Sequence, residues 1–575
     1  MIWVLKPIMI TKAVVMCSIS RARQVALPDL PALPPLALWV LGAFLPLILA
    51  WLETLLMRSI LARCAEHALL RIAQRYDPAA VVAACASYYH LPGTKGATPT
   101  FTLDQLVRAE IVRAWADSCS DPELEWLLAS NLLVRHFVGL PLLGPTPDHS
   151  TLSRFHAFLT DQAPDALFCD VLAFLDRVDP EDPVATPQIV DTFAMASPAT
   201  PALSVAALLC HLTRRLASAW LSLAPASLQH ALPPLDLSGL GRTDAPRTPQ
   251  AAQQRLQQAV SVATWLADGL SEHLAALQEP LRTTIAAQLR AIRKIIADET
   301  STDTDGMVQE RDADTKGTYR IASAFDLEAT FRKHEPDPAI FGSNAVVSTT
   351  TTRIRAALIL TGSTPDSQAP LAVVRQLQSW GAPLPALLIM DQAGGMGKTR
   401  ADVDAVSGGQ TSMIAHIPPT AADGAGRLPA TAFVLSADGQ TLRCPNGQAS
   451  SRQYRHTRSE GVRFTFRSRQ CAGCPLWEAC RGPDGKPNRV RFVYVTPYHP
   501  YVRAAAHFNQ SEAGKALLKG RWRVEPTIAW LVRYHGCRVA RRCGLAAARC
   551  QLLQACAVRN LLLWLSRTER QRRQA

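Results

Sequence analysis

A mixed α/β fold is predicted by three observations. The amino-terminal part of the chain reads as helices, with apolar Leu103, Leu106, Ile111 and Val112 at helical spacing. Two short apolar runs each close on an aspartate, Gln188-Ile189-Val190-Asp191 and Leu387-Leu388-Ile389-Met390-Asp391. Between them, β-branched runs over Asn344 to Thr352 and Arg355 to Thr361 flank a polar Thr turn and form a hairpin. Strand, hairpin, helix, strand, helix, strand is the order of a mixed sheet with helices on its faces. At 575 residues the chain exceeds one compact core, and roughly two to four domains are expected.

In chain order, residues 1–60 form an apolar leader of uncertain role. Within it, Leu36 to Leu52 is an uncharged run of 17 residues, preceded by Lys6, Lys12, Arg21 and Arg23. That length is at the short limit for a membrane span. Pro34, Pro35 and Pro46, with Glu53 and Arg58 directly after, favour a buried or oligomerising helix over a signal anchor. Residues 61–180 read as a helical domain. Helices start at Ser120-Asp121-Pro122-Glu123, with proline in the first turn, and at Asp148, ahead of Ser150 to Phe155. An ordinary helical bundle fits this spacing, as does a helix-turn-helix-like DNA reader with Arg154 on its last helix. A core region spans 186–443. It opens with a buried strand over Gln188 to Phe193 and is interrupted by a helical, Ala- and Gln-rich insertion at about 200–315, which ends in an acidic loop around Asp303 to Asp314. After the hairpin come a helix over Gln368 to Trp380, a strand over Ala386 to Met390, a helix after Lys398 and a strand over Thr411 to Ile417. Residues 444–481 hold four cysteines, and 482–575 carry Glu525 and a basic tail.

The charge is uneven. From residue 441 onward there are 26 Lys and Arg against 6 Asp and Glu, a net +20, so the first 440 residues carry −7 of the total of +13. A positive field confined to one region suits a polyanion such as nucleic acid, and arginine, which dominates it, suits bidentate phosphate contact. A solvated basic surface is the bland alternative. No cleavable signal peptide is evident, and several of the 14 cysteines (Cys64, Cys85, Cys169, Cys210, Cys556) sit on apolar helical patterns, so a reducing cytoplasm is the default.

Glu525 is a lone acid in Lys519-Gly520-Arg521-Trp522-Arg523-Val524-Glu525-Pro526, and the proline places it at the start of a helix. Asp191 and Asp391 close strands at the sheet edge where ligands bind in α/β folds. A converging trio of carboxylates is costly unless cations fill it, so convergence implies divalent metal beside a phosphodiester. Taken singly, each acid is equally a turn former or a helix cap. Cys444, Cys471, Cys474 and Cys480 follow C-x26-C-x2-C-x5-C, a spacing for structural zinc, with unligated thiols as the alternative. Gly394-Gly395-Met396-Gly397-Lys398-Thr399 resembles the GGxGKT of partition-type ATPases, but position 392 holds Gln where a phosphate loop has Gly. A flexible turn beside Asp391 is the more economical reading.

Together these segments resemble bacterial insertion-sequence DDE transposases. LDQLVRAEIVRAW, SDPELEWLLASNLLVRHFVGLPL and PDHSTLSRF are similar to that family's first domain; VDTFAMASP, LLIMDQAGG and KGRWRVEPTIAWLVRYHGCRVARRCGL are similar to its catalytic segments. GSNAVVST, TGSTPDSQAP and the CPNG and CAGCPLWEAC cysteines also match in order. The likeness spans about residues 75 to 565. Many members follow the second Asp with a small residue, Gly and Tyr, where this chain has Gln392-Ala393-Gly394-Gly395.

The resemblance implies a ribonuclease H-like catalytic core with a helical amino-terminal DNA-binding domain, a helical insertion and a small zinc-binding module. It implies Asp191, Asp391 and Glu525 as catalytic ligands of two Mg2+ (or Mn2+), structural Zn2+ on the four cysteines, and phosphate contacts from Arg154, Arg521, Arg523, Arg533 and Arg538. The partners implied are double-stranded DNA at element ends and target and, on DNA, further copies of the chain, in the cytoplasm at the nucleoid. A catalytically inactive DNA-binding relative and a P-loop ATPase are the rival readings.

Overall fold

A computed structural model describes residues 51–574 except 53, 91–98, 143, 230–247, 313–314, 317–318, 334–335, 337, 420–425, 456–459 and 483–488. The chain forms two compact units, 1–65 and 66–575. In the first, residues 54–63 are helical, and all of the apolar run but Trp51 and Leu52 lies outside the described residues. Among the described residues no helix is long and apolar enough to cross a membrane.

The second unit begins with short helices: α1 (Ala68–Ala73), α2 (Ala79–Ala84), α3 (Leu103–Trp115), α4 (Asp121–Ser130), α5 (Leu132–Val138), α6 (His149–Gln162) and α7 (Ala166–Val178). Their starts are where the sequence places them. Ser120 and Glu123 form a capping box on α4 with Pro122 in its first turn, and Asp148 caps α6 by accepting from the Thr151 N–H at 2.7 Å. Gly139 ends α5 in the left-handed conformation at φ 76°.

The central sheet contains β1 (Gln188–Ala196), β4 (Thr330–Arg332), β5 (Ile340–Thr349), β6 (Ile354–Thr361), β7 (Leu387–Ile389) and β8 (Ser412–Ile414). Strand β5 runs antiparallel to β1, β4 and β6, whereas β7 is parallel to both β1 and β8. The mixed α/β class is therefore as expected. Helices α11 (Ala369–Ser379) and α12 (Gly397–Ser407) cover one face with Val373, Val374 and Val403, against Val190, Val346 and Leu388. The other face carries Ile189, Phe193 and Met195 and joins the core of α1–α7 and the carboxyl-terminal helix α17 (Leu545–Gln574).

Among the described residues the insertion packs three long helices around its own apolar core: α8 (Val205–Leu223), α9 (Pro249–Ser271) and α10 (Leu281–Glu299). Two expectations change here. The acidic stretch read as a loop holds a hairpin, β2 (Thr300–Thr302) with β3 (Val308–Glu310), because Gly306 at φ 78° and Asp303, accepting from the Asp305 and Met307 N–H groups, build the turn. Strand β1 runs on to Ala196, so Asp191 sits within a strand instead of closing one. Polar Thr192 belongs to the same strand because β5 pairs along its length.

A small module follows, with β9 (Val434–Leu435), β10 (Leu442–Arg443), β11 (Arg452–Arg455), β12 (Val462–Phe466), α13 (Trp477–Arg481) and β13 (Arg491–Val495) around Phe433, Phe464, Phe466, Val493 and Val495. Helices α14 (His499–Gln510) and α15 (Glu512–Lys519), a 3-10 turn over Gly520–Val524, α16 (Glu525–Tyr534) and α17 complete the chain.

Candidate active site

Strand alternation decides where the acids face. Ile189, Phe193 and Met195 enter the core shared with α17, while Val190 enters the opposite one, so Asp191 lies on the α17 side. Ile389 and Met390 divide between the same two cores, which gives Asp391 the same side. Strands β1 and β7 run parallel with Ile189 opposite Ile389. Asp191 and Asp391 each stand two residues beyond that pair, on one face of the sheet at the edge where β7 ends, Asp391 past the end of β7 and Asp191 still within β1. Val524 and Leu531 bury in the same core, and the Gly520–Val524 turn packs on β1, which brings the first residue of α16, Glu525, to that side.

Arg521 links two of the three. Its guanidinium lies 3.9 Å from Asp191 Oδ2 and 3.5 Å from Glu525 Oε1. Asp191 Oδ1 accepts the Thr192 N–H at 2.8 Å, and Asp391 Oδ1 accepts the Ala393 N–H at 3.0 Å, capping the turn Gln392–Gly395. Burial pushes the Asp191 carboxyl above the ordinary carboxylate range, and Asp391 and Asp366 add to that; the Thr192 N–H and Arg521 act against it. A half-buried carboxylate facing further acids has a standing demand for positive charge. Among the described residues, however, no group of three or more His, Cys, Asp or Glu side chains is arranged so that it could hold a metal ion.

Beside this edge lies a network that sequence reasoning missed. Arg332 donates to Thr192 Oγ1 at 2.9 Å and pairs with Asp366 at 3.2 Å, and Asn344 Nδ2 donates to Asp366 Oδ1 at 2.7 Å. The stretches TGSTPDSQAP, which contains Asp366, and GSNAVVST, which contains Asn344, are the available signals. Nothing in the local pattern marks Arg332.

Of the other arginines, Arg154, Arg523, Arg533 and Arg538 are exposed, and Arg521 is half-buried against the acids. Arg154 sits on α6, remote in sequence from the rest, and donates to Thr151 Oγ1 at 3.1 Å. The glycine turn beside Asp391 is closely packed. Gly394 and Gly395 are buried, and a Cβ on Gly395 would stand 1.9 Å from the His416 carbonyl oxygen. These glycines let the turn after Asp391 pack on the chain leaving β8. Lys398 is exposed and pairs with Asp402 at 3.2 Å.

The four cysteines line one small cavity of about 30 Å3. Cys444 opens a tight turn closed by the N–H of left-handed Gly447 at φ 78°, and Cys471 opens one closed by the Cys474 N–H with left-handed Gly473 at φ 69° inside it. The Gln448 N–H points at Cys444 Sγ, 3.3 Å away. Burial raises the Cys480 thiol, with Arg491 acting against it.

Two family models match the chain. One, described as "Transposase domain (DUF772)", covers residues 58–157, and the other, described as "Transposase DDE domain", covers 443–563. The second includes the four cysteines and Glu525; Asp191 and Asp391 lie outside both. No curated protein and no solved structure matches the chain.

Proposed function

We propose that this chain acts as an insertion-sequence DDE transposase, as the two transposase-domain matches support, and that Asp191, Asp391 and Glu525 form its DNA-cleaving site. Enzymes of this family generally use divalent metal. The residues present fit such ions in charge: Asp191 is half-buried beside Asp391, and among the described residues the cation facing it is Arg521, at the long distance of 3.9 Å. Asp191, Asp391 and Glu525 would hold two Mg2+ or Mn2+, which when bound activate water or a 3′-hydroxyl and stabilise the leaving oxyanion. Asp191 and Asp391 are fixed by backbone N–H groups, while Glu525, with a side chain 59% exposed at a helix start, has freedom to swing. Arg521 then passes from the carboxylates to a DNA phosphate, with Arg523, Arg533 and Arg538 on the backbone around it. Arg154 and its helix contact the element ends.

The strand pattern, with β5 alone opposing β1, β6, β7 and β8, supports a ribonuclease H-like core. The thiol-lined cavity supports structural zinc on Cys444, Cys471, Cys474 and Cys480. Assembly of several copies on DNA, and residence at the nucleoid, belong to the same proposal.

The observation that carries it is the parallel register of β1 and β7, which aligns two acids 200 residues apart in number. The test is strand nicking of labelled element-end duplex with Mn2+. Nicking by the natural chain, lost in Asp191→Asn with binding retained, supports the enzyme; binding without any nicking supports an inactive DNA-binding relative.

A further inference from the structure

The sheet β11–β12–β13 has two aromatic faces and only one core. Phe464, Phe466, Val493 and Val495 point inward. On the opposite face, the register sets Tyr454 beside Arg463 and Arg463 beside Tyr494, with Phe492 one pair along. Tyr454, Phe492 and Tyr494 are 47%, 45% and 42% exposed. A small sheet that buries one face normally turns polar residues to solvent on the other. Three rings held out on the two outer strands, on either side of Arg463 on β12, therefore form an exposed aromatic patch.

The patch is organised and positively charged. The Arg463 guanidinium lies 5.5 Å from the Tyr454 ring centre and 4.8 Å from that of Phe492, within cation–π range of both rings. Gly461 sits where any Cβ would fall 2.0 Å from the Tyr494 ring, so this ring lies directly on backbone. Residues 441–500 contain 11 Lys and Arg against 3 Asp and Glu. A protein partner with an apolar face would match the rings but not this charge. A polyanion whose units carry flat, apolar faces matches both, and in duplex DNA those faces are hidden by stacking.

We propose that the outer face of β11–β12–β13 is a stacking platform for unpaired DNA bases, with Tyr454, Phe492 and Tyr494 as the stacking rings and Arg463 pairing with phosphate or base. The inference rests on DNA being the substrate, and adds that the enzyme grips a single-stranded stretch at or beside the nicked end. Stacking of this kind is tolerant of sequence and sensitive to salt.

The test uses the full chain and a fluorescein-labelled oligothymidine of roughly 15 nucleotides, within the length such platforms engage, read by anisotropy. Phe492→Ala and Tyr454→Ala should each weaken binding about tenfold. Phe492→Trp should restore it, and Phe492→Leu, which keeps apolar bulk for folding, should not. Photocrosslinking through iodouracil should mark the β11 or β13 peptide. Unchanged affinity in all four variants, with duplex nicking intact, overturns the platform and leaves the cleavage site standing. The same holds if the variants alter only the oligomeric state, which makes the face a protein interface. A chain that binds neither single-stranded nor duplex DNA overturns the transposase mechanism as well.

Discussion

Arg521 stands between two carboxylates at 3.9 and 3.5 Å, close enough to compete with a cation and too far for a strong pair. Replacing it by Gln removes the competitor and one positive charge from the site. Calorimetry without DNA should therefore show Mn2+ binding tighter by about threefold or more in Arg521→Gln, while strand nicking falls because a phosphate contact is lost. Weaker metal binding in that variant means that Arg521 builds the site instead of filling it. The acids themselves were legible in the sequence because each breaks a local pattern, Glu525 by its sign and the aspartates by ending apolar runs. Arg332 was not, since it meets Asp366, which lies beyond β6, only through the pairing of both β4 and β6 with β5, which no local pattern encodes.

Among elements, the turn after β7 is the most constrained. Gly395→Ala places a Cβ 1.9 Å from the His416 carbonyl oxygen, so a destabilisation of about 1–3 kcal/mol is expected, with reduced nicking as Asp391 shifts. Lys398→Ala, at an exposed pair with Asp402, should change stability by less than about 0.5 kcal/mol and leave nicking unchanged. Calorimetric melting separates these results, and nucleotide hydrolysis sensitive to Lys398→Ala would revive the P-loop reading. In the cysteine module, metal analysis should find about one zinc per chain, lost in Cys474→Ser with a lowered melting temperature. A metal-free natural chain that melts identically to the variant rejects the zinc proposal. Helix starts, the hairpin β5–β6 and strands β7 and β8 were readable from caps and β-branched runs, whereas the β2–β3 hairpin was hidden in an acidic stretch whose turn residues, Asp303 and Gly306, act through backbone geometry rather than apolar periodicity.

Across the whole molecule, α17 joins the amino-terminal helices to the sheet in one core, and a buried network reinforces the seam. Burial by itself would raise the Glu110 carboxyl, but Arg113 and His156 outweigh it and hold it down at about 2; Arg542 reaches Asp121 of the same network at 2.7 Å. His535, at the end of the Glu525 helix, hydrogen-bonds the Ala114 carbonyl on α3 at 3.2 Å, and burial lowers it from 6.5 to about 4. Above about pH 6.5 His535 is neutral folded and unfolded, and its contribution is whole; below that the unfolded chain takes a proton that the native one refuses. Stability should thus fall by up to about 3 kcal/mol between about pH 6.5 and 4, and the drop in melting temperature should shrink in His535→Asn. An undiminished drop assigns the acid sensitivity elsewhere. That seam was invisible in the sequence, where its partners lie more than 400 positions apart. The proposed convergence of Asp191, Asp391 and Glu525 would likewise be a property of the whole chain, and iron-directed backbone cleavage tests it most directly. With Fe2+, ascorbate and peroxide, the account predicts cuts near residues 191, 391 and 525, all suppressed by excess Mg2+ and all absent in Asp191→Asn; cuts near only one of these positions, or persisting in that variant, would contradict it.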